Sequence, residues 1–330
     1  MTMNPYLELR DLVCTARRVL LTGPQYADGD SVGATLALAH AVRAVGDAEV
    51  VVAADVPYRY AWMTGADEIV ANAAVHGDFD VAIVMDGDQY RLAPGVEKAF
   101  RSAAKQVVVD HHRTTDLAGY HLAFLDQNAA ATCVQVIEIL DAWGVALTPD
   151  VAEVLYVGLI YDTGGFRYSN TKPQTHHVAS RLLATGIDHA SIASRVLMEV
   201  RPQGMRLKAA ISGAAVFWGE GELVLAACSA ETMAKCGAEF GDLDGIVESL
   251  LYIEGVELSI LVVERPGEVK LSLRSRGKID VAEFAQSLDE GGGGHAKAAG
   301  VLLDGGLDAW MKRLPNLALS ALSARDGVER

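Results

Sequence analysis

The stretch Val107-Val108-Val109-Asp110-His111-His112 runs three β-branched residues into an acid and two imidazoles. An uninterrupted apolar run of this kind suits a parallel strand covered on both faces. It leaves three polar, metal-capable side chains at the carboxyl end of the strand, where open α/β sheets carry their ligand sites. The fold and the function then turn on one question: whether other strands deliver acids to the same edge.

The segments upstream answer it. Arg18–Thr22 reads as a strand, followed by the tight loop Asp28-Gly29-Asp30. An alanine- and leucine-rich helix runs from Ser31 to about Val45, with Asp30 or Ser31 as its cap. Residues 49–54 form a second strand. Residues 79–85 form a third, which ends in Asp86-Gly87-Asp88. A basic-ended helical segment closes before the strand at 106–109. Strands alternating with helices at this spacing predict βαβ units and a parallel sheet. Acids therefore stand at three strand ends. Residues 120–125 add an edge strand and 129–143 a helix. Pro149 opens another helix that leads to Asp162-Thr163-Gly164-Gly165. Helical patterns at 171–183, closed by Gly186, and at 189–198 complete this part.

Beyond about residue 200 the pattern turns antiparallel. Residues 209–218 and 223–228 predict a hairpin around Gly219-Glu220-Gly221, and 256–264 and 269–274 another around Pro266-Gly267. Helical segments at 244–252 and 281–288 alternate with them. The landmark here is Gly291-Gly292-Gly293-Gly294-His295. It reads either as a flexible loop or as main chain that must come close to an anion. The predicted fold class is α/β: a parallel-sheet domain over 1–190, a linker over 191–207 and a smaller mixed α+β domain over 208–330.

Composition bounds the function. The 330 residues are 51% apolar and 22% charged, enough for two domains. No apolar run reaches membrane-spanning length and no secretory signal opens the chain, so no membrane association is expected. The four cysteines (14, 133, 228, 236) form no C-x-x-C pair, which fits a reduced, cytoplasmic protein. The formal charge of -15 disfavours tracking of long duplex nucleic acid and leaves room for a short nucleotide in a local pocket. The glycine run lacks the Lys-Ser/Thr ending of a phosphate-binding Walker loop.

Asp28, Asp30, Asp86, His111 and Asp162 make an oxygen-rich, imidazole-containing donor set. Such a set suits Mn²⁺ and accommodates Mg²⁺, Co²⁺, Zn²⁺ or Fe²⁺. Two ions sharing a bridging carboxylate activate a water for in-line attack on phosphorus, and Asp86, at a central strand tip, is the choice for the bridge. His112 is placed to contact the scissile phosphoryl group or protonate the leaving oxygen. Asp110 is the acceptor that holds a neighbouring histidine. Read singly, Asp86 and Asp162 fit helix caps or turn residues and Asp28-Gly29-Asp30 a solvated turn, and His176-His177 reads as a surface pair on a helix.

Taken in order, these segments resemble the DHH/DHHA1 phosphoesterase superfamily. Asp110-His111-His112 is its signature. Asp28-Gly29-Asp30-Ser31-Val32-Gly33, Met85-Asp86 and the run from Gly158 to Arg167 resemble its other amino-terminal motifs. Ser272-Leu273-Arg274-Ser275 and the run from Gly292 to Gly300 resemble its DHHA1 domain. The short two-domain layout is most similar to the bacterial bifunctional oligoribonuclease/pAp phosphatases. The resemblance implies two Mn²⁺ ions held by Asp28, Asp30, Asp86, His111 and Asp162, with His112 at the scissile phosphate. It implies an active-site cleft between the domains, with Arg274, Arg276, Gly292, Gly293, Gly294 and His295 holding the nucleotide. It further implies hydrolysis of very short single-stranded RNA to mononucleotides, and of 3′-phosphoadenosine 5′-phosphate to AMP and phosphate. Cyclic or linear dinucleotides such as c-di-AMP and pApA are the alternative substrates, and a weakly active nucleotide-binding regulator is the alternative class. A homodimer is left open. One departure stands out: the family's first motif carries a histidine four residues before the first aspartate, and here that position is Pro24.

Overall fold

In the computed structural model, residues 4–326 are described. The chain divides into two compact units between Glu199 and Val200. The first contains a five-stranded, wholly parallel sheet: β1 (Arg18–Thr22), β2 (Glu49–Ala53), β3 (Val81–Met85), β4 (Lys105–Asp110) and β5 (Leu122–Leu125), in the order β2-β1-β3-β4-β5. Both faces are covered. Val107 and Val109 of β4 pack into a core with α1 (Pro5–Thr15), α2 (Gly29–Val45), α4 (Thr132–Trp143), α5 (Pro149–Asp162), α6 (Pro173–Leu183) and α7 (His189–Ala193). Val108, one residue away, faces a second core built on α3 (Pro94–Ser102). That double burial explains the β-branched run.

The strand order reverses at β1, which pairs with β2 on one side and β3 on the other. A switch point of this kind opens a crevice beyond the carboxyl ends of the strands. The β1 and β3 ends at this point lead to the Asp28–Asp30 loop and to Asp86.

α2 is buried along most of its length. It can cross α5 closely because both helices carry glycine at the contact. A β-carbon on Gly33 would sit 2.3 Å from the Val154 carbonyl oxygen, and one on Gly158 would sit 2.6 Å from Asp30 Oδ1. Main chain therefore meets main chain there. The cap of α2 is Asp28, with Ser31 completing a capping box, and Asp30 lies inside the first turn. This corrects the expectation that Asp30 or Ser31 caps the helix. The Asp28 carboxylate accepts from the Asp30 and Ser31 amides, so the helix begins two residues earlier.

The second unit is a six-stranded sheet with the order β10-β11-β9-β8-β7-β6, comprising β6 (Val216–Trp218), β7 (Leu223–Cys228), β8 (Leu258–Arg265), β9 (Glu268–Ser275), β10 (Gly293–His295) and β11 (Ala298–Asp304). Only β7 and β8 pair in parallel. One face packs on α11 (Val281–Leu288) and α12 (Leu307–Asp326), the other on α8 (Pro202–Gly213) and α10 (Ile246–Leu251). A short α9 (Ala230–Cys236) follows β7. Both predicted hairpins form, but the first is shorter than expected. Residues 209–213 belong to α8, whose Leu207 and Ile211 are buried, leaving only Val216–Trp218 to pair with β7. The stretch 191–207 is largely helical on both sides of the division. Among the described residues, no helix is long and apolar enough to cross a membrane.

Candidate metal centre and active site

Strand periodicity sets the centre. His111 follows Val109 by two residues, so it emerges on the face covered by α2, α4 and α5. It is 2% exposed. Its Nδ1 lies 3.3 Å from the Ala129 carbonyl oxygen, which can only accept, so Nδ1 carries a proton and Nε2 is the nitrogen left to face the acids. Nε2 points at three carboxylates: Asp162 Oδ2 at 3.1 Å, Asp86 Oδ1 at 3.4 Å and Asp30 Oδ2 at 3.9 Å. Each comes from a different element: the end of α5, the end of β3 and the first turn of α2.

Asp30 is wholly buried and has a second duty. α4 has no capping side chain of its own. The Thr132 amide donates to Asp30 Oδ2 at 2.6 Å and the Cys133 amide to Oδ1 at 2.9 Å, so an acid from α2 satisfies the open amides of α4. The Thr132 hydroxyl donates to Asp86 Oδ1 at 3.0 Å. By contrast, no main-chain amide among the described residues donates to the Asp162 carboxylate. Asp30→Ala should therefore lower the stability of metal-free protein by about 2–4 kcal/mol, since two buried amides lose their acceptor. Asp162→Ala should leave it unchanged or raise it, because one of several crowded anions is removed. Urea titration of the two variants checks this. Equal midpoints would show that the Asp30 hydrogen bonds carry no weight.

Asp86 has φ 60°, the left-handed region that a non-glycine residue enters rarely and that aspartate tolerates. This turn at the strand tip is followed by Gly87 at φ 154°.

Asp110 faces the other way and serves His112. Asp110 Oδ1 accepts from the main-chain amides of His111 (2.7 Å) and His112 (3.2 Å), and lies 2.7 Å from His112 Nδ1. The Thr115 hydroxyl donates to Oδ2. Gln135 Nε2 donates to the Asp110 carbonyl at 2.7 Å, fixing the strand end from α4. The His111 and His112 rings meet edge to face with centroids 4.6 Å apart.

The electrostatics are those of an anion cluster. Burial, and then the charges of Asp86 and Asp162, push the Asp28 and Asp30 carboxyls well above the ordinary range. Burial acts the same way on Asp86, but His111, His112 and the Thr132 hydroxyl outweigh it and hold its carboxyl low. Burial disfavours the charged form of His111, yet Asp162 and Asp86 draw its imidazole well above the usual value. The acids cannot all be ionised side by side without a cation. Four donors converging from four elements, all oxygen or imidazole nitrogen, fit a divalent ion such as Mn²⁺ or Mg²⁺. Ligand atoms of Asp30, His111 and Asp162, and separately of Asp86, Asp110, His111 and His112, lie within 4.8 Å of one another. Asp28 is outside both sets. Its Oδ1 accepts from the Asp30 and Ser31 amides, each at 3.0 Å.

Pro24 sits beside the β3 tip. A β-carbon on Gly87 would be 3.7 Å from Pro24 Cβ. Gln25 and Tyr26 are exposed. The expected surface pair, His176 and His177, is exposed on α6.

In the second unit, the glycine run is ordered by close packing rather than left as a loop. A β-carbon on Gly292 would be 2.5 Å from the Ala285 carbonyl, and Gly294, at φ 136°, would meet the Ala298 carbonyl oxygen at 2.4 Å. Gly293–His295 pairs with β11. Arg274 is ion-paired with Glu248 at 2.6 Å. Arg276 donates to the carbonyls of Val256, Leu251 and Ile253, which fastens the preceding loop.

Sequence reasoning missed Thr132, Thr115, Gln135 and the Ala129 carbonyl. Only Thr132 carried a signal, as a hydroxyl residue opening a helical run.

Comparisons with known proteins agree with this architecture. Residues 18–159 match the DHH family, N-terminal domain, and residues 224–315 match the DHHA1 domain. A Thermus thermophilus protein named bifunctional oligoribonuclease and PAP phosphatase NrnA is 32% identical over 280 residues, covering 84% of this chain and 82% of its own length. A Mycoplasma genitalium protein of the same name is 24% identical over 234 residues, 68% of this chain and 69% of that one. Among solved structures, an exopolyphosphatase-related protein from Bacteroides fragilis superposes with a TM-score of 0.84 at 22% identity over the full length of both chains. RecJ of Thermus thermophilus, solved in complex with Mn²⁺, superposes with a TM-score of 0.55 at 14% identity, over 99% of this chain and 55% of RecJ. With its two matched domains and a relative of that identity and coverage, the chain belongs to the DHH/DHHA1 phosphoesterases, hydrolases that act on nucleotides and nucleic acids.

Proposed function

We propose that this enzyme hydrolyses short single-stranded RNA to mononucleotides, and 3′-phosphoadenosine 5′-phosphate (pAp) to AMP and phosphate, in the cytoplasm, with Mn²⁺ as its working ion. The observation that carries the reading is the convergence of Asp30, Asp86 and Asp162 on His111 Nε2. The relationship to the Thermus thermophilus protein supports the pair of substrates. The strong negative charge of the chain supports short substrates over long ones, because few backbone phosphates need neutralising.

In this reading Asp28, Asp30, Asp86, His111 and Asp162 would hold the two ions. Divalent ions bound there would supply Lewis acidity for the phosphoryl oxygens and for the deprotonation of an attacking water. The protein's own groups do the rest. Asp30 is held rigid by the amides of α4. The hydrogen bond to Ala129 keeps His111 in the tautomer that offers Nε2. Asp110 accepts the hydrogen bond of His112 Nδ1–H, so that the opposite edge of the protonated ring serves the phosphate and its Nε2–H gives a proton to the leaving oxygen. In the second unit Arg274, the Gly292–Gly294 main chain and His295 hold the nucleotide, and Arg276 contributes through the loop it fastens.

The test uses metal-free full-length protein, reloaded with Mn²⁺, Mg²⁺ or Co²⁺, and assayed on a labelled RNA dinucleotide, pAp, pApA and c-di-AMP. Release of mononucleotide from RNA and of phosphate from pAp, fastest with Mn²⁺ and abolished by chelator, is expected. Binding without hydrolysis under any of these ions would defeat the enzymatic assignment of substrates and favour a nucleotide-binding regulator. Exclusive turnover of the dinucleotides pApA or c-di-AMP would redirect it.

A further inference from the structure

Arg91 is a cation beside an acidic centre that pairs with none of its acids. It closes the short turn Gln89–Arg91, five residues beyond Asp86. Its side chain runs past the strand tip: a β-carbon on Gly87 would be 3.5 Å from Arg91 Cδ. Its guanidinium ends against the loop that follows His112, with Nη2 3.4 Å from Thr114 Oγ1. The turn is built to hold it there. Asp88 caps the turn by accepting from the Tyr90 amide at 3.0 Å, and also accepts from the Asp116 amide at 3.2 Å. The Gln89 amide donates to the Tyr120 hydroxyl at 2.7 Å, and the Gln25 amide donates to the Arg91 carbonyl at 2.8 Å. Three loops that follow strand ends, those after β1, β3 and β4, are thus knitted together around Arg91.

The side chain is half-buried, and among the described residues no carboxylate lies within 4.0 Å of it. In a chain of net charge -15, with Asp86, Asp88, Asp110 and Asp116 on the same two loops, a guanidinium that makes one long contact to a neutral hydroxyl retains most of its donors for an external anion. Its fork suits phosphate oxygens. It also stands on the Pro24 side of Gly87, where the chain offers no side-chain donor at position 24.

We infer that Arg91 binds a non-bridging oxygen of the phosphoryl group under attack, from the β3 side of the centre, and supplies there positive charge that Pro24 cannot. This rests on the phosphoesterase reading of the centre, and the test is chosen so that the two can fail separately. Arg91→Gln and Arg91→Lys are prepared alongside wild type. Mn²⁺ affinity and inorganic phosphate affinity of the Mn²⁺-loaded proteins are measured by calorimetry, and kcat and KM on pAp by phosphate release. Arg91→Gln should weaken phosphate binding at least about tenfold and lower kcat/KM by about a hundredfold, as expected for a lost charge-assisted contact, while Mn²⁺ affinity stays within about twofold. Arg91→Lys should recover part of both losses. Unchanged phosphate affinity in Arg91→Gln would overturn the assignment. So would a parallel fall in Mn²⁺ affinity and thermal stability, which would make Arg91 a prop for the loops. If wild type binds phosphate through Arg91 yet turns over no phosphate ester, the anion site stands and the substrate assignment falls.

Discussion

Asp86→Ala is expected to remove both activities together, RNA dinucleotide cleavage and pAp dephosphorylation, by about a thousandfold or more, equivalent to about 4 kcal/mol of transition-state stabilisation. The expectation follows from where the residue stands. Its Oδ1 is 3.4 Å from His111 Nε2, 3.8 Å from His112 Nδ1 and hydrogen-bonded to Thr132, so it touches both histidines and the start of α4. Its backbone adds a control. At φ 60°, alanine is strained where asparagine is tolerated. Asp86→Asn should therefore fold as wild type and still be inactive, with both ions bound more weakly. Equal loss on both substrates argues for one shared centre. Loss of one activity with retention of the other would require two.

The second large effect concerns proton delivery. His112→Ala should lower kcat by about 10²–10⁴-fold, the usual worth of a positioned general acid, with Mn²⁺ affinity little changed. Asp110→Asn should follow it closely. The carboxylate that holds His112 Nδ1 at 2.7 Å would be replaced by a neutral amide, which removes the negative charge that favours the protonated ring. Asp110 itself sits in a setting suited to staying ionised: burial opposes its charge, but the His112 and Thr115 contacts outweigh that and keep its carboxyl low. The discriminating measurement is the leaving group. A nitrophenyl ester, whose phenolate leaves unprotonated, should be hydrolysed by His112→Ala nearly as fast as by wild type. If the nitrophenyl and natural esters lose rate equally, His112 positions the phosphate and does not donate the proton.

Much of this was legible in the residues because the chemistry and the topology coincide. The run from Val107 to His112 announces a doubly covered strand with a polar tip, and the structure covers it on both faces. Asp28-Gly29-Asp30 and Asp86-Gly87-Asp88 mark neighbouring strand ends by composition alone. What composition could not supply is division of labour between acids that look alike. Asp28 and Asp30 are separated by one glycine, yet the first caps its own helix and the second caps another helix 102 positions away. A long-range cap leaves no trace in local spacing. The glycine run was ambiguous for a related reason: Gly292 and Gly294 make room for main chain from α11 and β11, contacts that depend on tertiary packing. Residues 209–213 fit a strand as well as a helix, because a helix buried on one face and a short strand share apolar periodicity over so few positions. Arg91 escaped notice because an isolated basic residue in a loop is ordinarily a solvated one.

The glycine-to-main-chain crossing of α2 and α5 ties two of the acids to one packing contact. Asp30 stands in the first turn of α2, where a β-carbon on Gly158 of α5 would meet its Oδ1 at 2.6 Å. Asp162 is the last residue of that same α5. The separation of the two carboxylates is therefore inherited from the approach of two helices, and a side chain at Gly33, which meets the Val154 carbonyl oxygen and neither acid, would change it.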